Sequence, residues 1–143
     1  MEAIKIGGPI AVLVTAGASV FVYEWLNRRR ARRRLSTRPQ VSAAAFARNH
    51  FGESEARGRL ATEVYAILSH HLPYPLAGLS PDDTFIDDLR MDALDSLAAV
   101  EFVVEIEKQF GITIPDADAQ AMRTLRDLVD YLEPRVVTTA VSG

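Results

Sequence analysis

The sequence predicts an all-α fold, a four-helix bundle with a short third helix over residues 53–135, preceded by a single transmembrane helix over 7–26. Three observations lead there. Apolar residues recur at helical spacing in three stretches (Leu60, Val64, Ile67, Leu68 and Leu72; Phe102, Val103, Ile106 and Phe110; Leu125, Leu128, Val129 and Leu132), with no strand-like period of two. Pro73, Pro75, Gly111, Pro115 and Pro134 punctuate those stretches at their ends. Gly7 to Tyr23 is a run of seventeen residues without a charge.

That run is read as the spanning helix. After a short N-terminal end at 1–6, twenty helical residues from 7 to 26 reach roughly 30 Å, the thickness of a hydrocarbon core. Tyr23 and Trp25 then sit at headgroup level, with Glu24 beside that boundary. Lys5 alone precedes the run, whereas Arg28, Arg29, Arg30, Arg32, Arg33, Arg34 and Arg38 follow it. The positive-inside rule therefore puts a single-pass membrane protein with its C-terminal domain in the cytoplasm. A cleaved leader is the rival, because Ala16-Gly17-Ala18 has the small-x-small form of a cleavage site. It is disfavoured because apolar residues continue past the site and the arginines after it resist translocation. Beside a span, those arginines read as topology and anionic-lipid contact rather than as a nucleic-acid patch.

Residues 27–52 are predicted to form a basic juxtamembrane tether. Leu35 to Gln40 reads as a break; Ser42 is placed to cap an alanine-rich turn that Gly52 ends. Phe46 and Phe51 rest either on the domain or on lipid, and the sequence does not choose. Such a tether would keep the domain that follows near the membrane and raise its effective concentration there.

Within the bundle, a first helix is predicted from Glu55 to Leu72, ended by Pro73-Tyr74-Pro75 and followed by a long loop to Ser80-Pro81. A second runs from Ser96 to Phe110 with Gly111 as its stop; Phe102, Val103, Ile106 and Phe110 face inward. Leu97, Val100 and Val104 form a narrower stripe flanked by Glu101 and Glu105, one turn apart. Ile114-Pro115-Asp116 leads into a short third helix ending near Met122, and Thr124 caps a last helix that Pro134 closes. Residues 136–143 have little to bury and read as a frayed tail.

Charge narrows the function. Residues 1–52 hold nine Lys/Arg against two Asp/Glu, a balance of +7, while 53–143 hold seven against seventeen, a balance of −10. An acidic globular part argues against nucleic acid and for protein partners with basic docking faces. The absence of cysteine excludes disulfides, thiolate metal sites and a cysteine nucleophile, so a reactive thiol would have to be imported. His70 and His71 point about 100° apart on a helix and read as a polar helix end rather than a metal pair. Asp82-Asp83 and Asp87-Asp88 lie in loops where acidic surface is expected, and no Gly-rich phosphate loop or nucleophile elbow is present.

The run Asp95-Ser96-Leu97-Ala98-Ala99-Val100-Glu101-Phe102, followed by Phe110-Gly111-Ile112-Thr113-Ile114-Pro115-Asp116, resembles the acyl carrier protein family, phosphopantetheine-binding carrier domains. The resemblance covers most of Glu55 to Pro134 and implies an acyl-carrier-type bundle that is monomeric and not an enzyme. It implies a phosphopantetheine arm on Ser96, flanked by Asp95 and Leu97, whose thiol holds acyl intermediates as thioesters. Asp95, Leu97, Val100, Glu101, Val104 and Glu105 would then meet partners: a phosphopantetheinyl transferase, and acyl-transferring or acyl-modifying enzymes of fatty acid, lipid or polyketide-type synthesis. Membrane lipid would be met through 7–26. A serine opening a helix suits such an attachment, since the free N–H groups and positive helix end favour a phosphodiester. The chain departs from the family's usual Asp-Leu-Gly-x-Asp-Ser-Leu in having three more residues between Asp88-Leu89 and Ser96. A register that puts Ala93 at the attachment position is rejected because it lengthens the second helix by three residues. The alternatives are an unmodified helical docking module at the membrane, and a peptidyl carrier.

Overall fold

The computed structural model of the protein describes residues 8–91 and 96–141, and the side chains of 17–91 and 97–136. Six helices follow in order: α1 (Gly8–Ser36), α2 (Ala43–Phe51), α3 (Glu55–His71), α4 (Ser96–Phe110), α5 (Asp116–Ala121) and α6 (Leu125–Val141). Among the described residues there is no strand; a lone antiparallel bridge joins Thr84 to Thr124. The last four helices form the expected bundle with a short third member.

Helix α3 is the spine of the packing. Its stripe of Leu60, Ala61, Val64, Ile67 and Leu68 is buried, and the helix packs against α2, α4 and α6. Ser54 starts it by accepting the Arg57 amide at 3.1 Å, and the chain turns extended at Leu72, ahead of Pro73. The core continues through Phe102 and Ile106 of α4, through Ile114, and through Leu125, Leu128, Val129 and Leu132 of α6. Val103 and Phe110, expected inside, are only partly buried.

At the end of α4, Gly111 has φ +63° while the Ile112 amide donates to the Glu107 carbonyl at 3.1 Å. A Cβ on Gly111 would meet nothing within 4 Å, so a side chain there is opposed by backbone strain alone. Gly111→Ala is expected to lower stability by about 1 kcal/mol, read as a shift in urea midpoint at constant slope.

Helix α6 corrects two expectations. Thr124 caps it as predicted, its Oγ1 accepting the Asp127 amide at 3.1 Å while Asp127 accepts the Thr124 amide at 3.1 Å. Pro134, however, lies inside the helix, which continues to Val141. The pyrrolidine removes one amide donor on an exposed turn, whereas Leu132 is buried and Val136 packs against the core on either side. Residues 136–141 are therefore helical rather than a frayed tail.

The N-terminal third differs most from expectation. Among the described residues no helix is long and apolar enough to cross a membrane, so the transmembrane helix expected over 7–26 is not supported; its side chains before Gly17 lie outside the described residues. From Gly17, where the described side chains begin, α1 carries exposed apolar Val20, Phe21, Val22, Trp25 and Leu26, with Glu24 among them, then six arginines before Ser36. The helix runs unbroken through the arginines, and Asn27, Ala31 and Leu35, at four-residue spacing, are buried. A break follows at 37–42; Ser42 then caps α2 by accepting the Ala45 amide at 3.1 Å. Phe46, Ala47 and Phe51 are buried, which settles the choice between domain and lipid for the two phenylalanines. Phe46 lies 5.1 Å from Tyr65 of α3, and the guanidiniums of Arg57 and Arg126 sit 5.3 and 5.5 Å from the Phe51 ring.

Candidate functional site

The residues singled out in the sequence converge on α4 and the loop before it. Ser96 is the first residue of the 15-residue α4; Asp95 lies outside the described residues, as does the Ser96 side chain. From the next residue onward, Leu97 is 66 %, Val100 59 % and Val104 39 % exposed, an apolar stripe that the fold leaves uncovered. Glu101 is exposed beside it. Glu105 is engaged within the chain, its carboxylate 2.6 Å from Nε2 of His71 and 3.9 Å from Nδ1 of His70. His71 is also in edge contact with Phe102, so the histidine pair ties α3 to α4 and holds Glu105 at the rim of the stripe.

Beneath that face is a cavity of about 410 Å³ lined by Phe85, Ile86, Met91, Ala99, Phe102 and Val103 among others. Helix register relates it to Ser96: positions 96, 99, 100 and 103 share one stripe, and Ala99 and Val103 line the cavity. The serine position therefore stands at the head of a row of small apolar side chains leading to a partly open, mainly apolar space. The sequence reading passed over Ile86, which is 58 % exposed at the mouth of the cavity, and Met91, 5 % exposed within it. Their apolar character was the available signal, but loop residues carry no periodicity that assigns a face.

The loop between α3 and α4 is built around two carboxylates. Asp83, 4 % exposed, accepts from the Ser80 amide at 2.9 Å and from Arg38 at 2.5 Å. Asp88 closes a turn by accepting from the Thr84 amide at 2.8 Å and Thr84 Oγ1 at 3.2 Å, and Arg34 reaches its other oxygen at 2.5 Å. The Leu89 amide bonds back to the Thr84 carbonyl and the Met91 amide to Phe85, while the Tyr74 hydroxyl donates to the Leu89 carbonyl. Phe85 packs on the core and Leu89 is buried. Arg90 has φ +58°, a left-handed conformation in the place where Asp-Leu-Gly would put glycine.

Burial opposes the Asp88 charge, but the Thr84 N–H, Arg34, the Thr84 hydroxyl and Arg38 together hold its carboxyl below the ordinary carboxylate value. A depressed folded-state value means that this group favours folding above the unfolded carboxylate range, and that the contribution is lost as pH falls through the folded value. Asp88→Asn is thus expected to flatten the acid limb of a stability-against-pH curve below about pH 4, measured by urea unfolding.

Comparison with known proteins agrees with this geometry. Residues 62–132 match the family model described as the phosphopantetheine attachment site, a stretch that contains α4 and the whole cavity lining. The acyl carrier protein of Thermosynechococcus vestitus is 34 % identical over 74 residues, which make up 52 % of this chain and 88 % of that protein. The chain belongs to the acyl carrier protein family. As a carrier it takes a covalent phosphopantetheine group, and the described residues fit one: a serine at the head of a helix, an uncovered apolar stripe beside it and an apolar cavity one turn away. No cluster of three or more His, Cys, Asp or Glu suited to a metal occurs among the described residues. The matched region begins after α1 and α2, which are additions to the family's domain.

Proposed function

We propose that this carrier holds acyl intermediates as thioesters on a phosphopantetheine arm at Ser96 and presents them to lipid- or polyketide-type biosynthetic enzymes. The observation that carries the reading is the serine at the head of α4, on the stripe leading through Ala99 and Val103 to the cavity. In installation of the arm, the Ser96 hydroxyl oxygen forms a bond to the β-phosphorus of coenzyme A. The pyrophosphate P–O bond breaks, adenosine 3′,5′-bisphosphate leaves, and the hydroxyl proton passes to a base on the transferase. The N–H groups of the first turn of α4 then face a phosphodiester, whose charge suits the positive end of the helix. The arm supplies the thiol that a chain without cysteine lacks.

Leu97, Val100, Val104 and Ile86 supply the apolar part of a docking face; Glu101, with Asp95, supplies charge that steers partners bearing Lys or Arg. Glu105 contributes while bonded to His71. Coexpression with a phosphopantetheinyl transferase followed by intact mass tests the reading. A mass gain of one phosphopantetheinyl group at Ser96 supports it, and an unmodified chain favours a docking module instead. Loading of acyl rather than aminoacyl groups onto the modified chain separates this function from a peptidyl carrier. The same reading keeps the carrier beside a membrane, with exposed Arg29, Arg30, Arg32 and Arg33 of α1 facing anionic lipid. It is supported by the charge-free run over 7–23 and by exposed Val20, Phe21, Val22, Trp25 and Leu26 next to the arginines of α1. Flotation with anionic vesicles tests that part.

A further inference from the structure

Helix α1 and the break after it do more than precede the carrier: they hold the loop that feeds the serine. Arg34, two turns after the exposed apolar side chains end, reaches Asp88 at 2.5 Å. Arg38 reaches Asp83 at 2.5 Å and, from the same nitrogen, the Gly78 carbonyl at 3.4 Å. Between the two arginines, Leu35 is 2 % exposed and its carbonyl lies so close to Gly78 that a Cβ there would stand 1.9 Å away. Gln40 Nε2 donates to that carbonyl at 2.9 Å, and the Val41 amide donates to Ala77 at 2.9 Å. Residues 34–41 thus line the loop over 77–88 with paired charges, backbone bonds and one buried leucine. The turn held by Asp88 ends at Met91, which is buried, and only four positions separate Met91 from Ser96.

We propose that Arg34 and Arg38 are positioning residues for modification of Ser96, acting through Asp88 and Asp83 to keep the loop over 77–91 in the form the transferase binds. The proposal rests on the reading of Ser96 as the attachment site. Both arginines lie outside the region matched to the family, so residues before the matched domain brace a loop within it. Neither arginine meets the reacting atoms. Their loss releases the loop, and the transferase must then order it on binding, which weakens binding of the carrier more than the transfer step.

The test uses the full chain with a phosphopantetheinyl transferase and a fluorescent coenzyme A, at a temperature where circular dichroism shows every variant folded. Arg34→Gln with Arg38→Gln is expected to raise KM for the carrier by about threefold to tenfold with kcat within about twofold, and to speed amide exchange over 84–91. Arg34→Lys with Arg38→Lys should recover most of the loss. Arg57→Gln is the stability control. It breaks ion pairs to Asp130 and Glu133 away from the loop, and should lower Tm with KM unchanged. An unchanged KM in the glutamine double variant overturns the proposal, as does a rise in KM of equal size in Arg57→Gln. Ser96→Ala run in parallel keeps the two readings apart. Continued modification of that variant refutes the attachment site itself, whereas wild-type modification at Ser96 with indifferent arginines refutes only the positioning role.

Discussion

Ser96→Ala is expected to abolish uptake of the phosphopantetheinyl group completely while leaving the fold intact. The chain has no cysteine, and the transfer reaction needs a hydroxyl oxygen at the head of α4. Alanine removes that oxygen and nothing else of consequence, because it is the better helix former and loss of a serine at a helix start costs about 1 kcal/mol at most in ordinary cases. Intact mass after coexpression with a transferase should show a single unmodified species for the variant and a shifted species for the wild type. Circular dichroism should superimpose the two. Thioester formation with an acyl donor should vanish alongside, since the thiol arrives only with the arm. A shifted mass in the alanine variant would place the attachment elsewhere, and the reading of α4 would have to be abandoned.

The second large effect concerns stability. Phe51→Ala is expected to cost about 3–5 kcal/mol, a large share of the 5–15 kcal/mol typical of a domain. Phe51 is 0 % exposed at the end of α2, 6.0 Å from the Phe46 ring, with the guanidiniums of Arg57 and Arg126 close to its ring. Truncation leaves a void bounded by α3 and α6 elements and withdraws a ring from two cations that are themselves tied to Asp130, Glu133 and Asp82. Were α2 a tether leading to a carrier that stands alone, the substitution would be nearly silent. Urea unfolding of the full chain distinguishes the two outcomes, because the expected drop exceeds the uncertainty of the extrapolation.

The two results together divide the chain by role. On the proposed reading Ser96 carries the chemistry and is expected to contribute little to stability, whereas Phe51 is expected to contribute stability from a segment outside the family match. The link between them is the loop over 73–91, held on one side by Arg34 and Arg38 and on the other by backbone bonds from Phe85 to Arg123 and from Arg126 to Pro81. A partner that reads α4 therefore reads a surface whose entry is fastened to the N-terminal helix.

Much of this was written in the order of residues. Helical periodicity with Pro73, Gly111 and Thr124 as punctuation determined α3, α4 and α6 to within a residue or two at most ends, because an amphipathic stripe and its caps are local properties. The pattern around Ser96 and Phe110-Gly111 pointed to the family for the same reason: a serine opening a helix and the turn that ends that helix are local features. Tertiary structure alone decided the rest. Val136 gives the last helix a core contact beyond Pro134, which a local rule about proline does not see. Whether Phe46 and Phe51 lie on protein or lipid, and whether arginines 34 and 38 face a membrane or Asp88 and Asp83, depends on partners in other elements of the fold, Tyr65 for Phe46, Arg126 for Phe51, and the loop carboxylates for the arginines. Hydropathy and charge in a window report what a segment prefers to leave or enter, and only the packed chain shows which surface it meets.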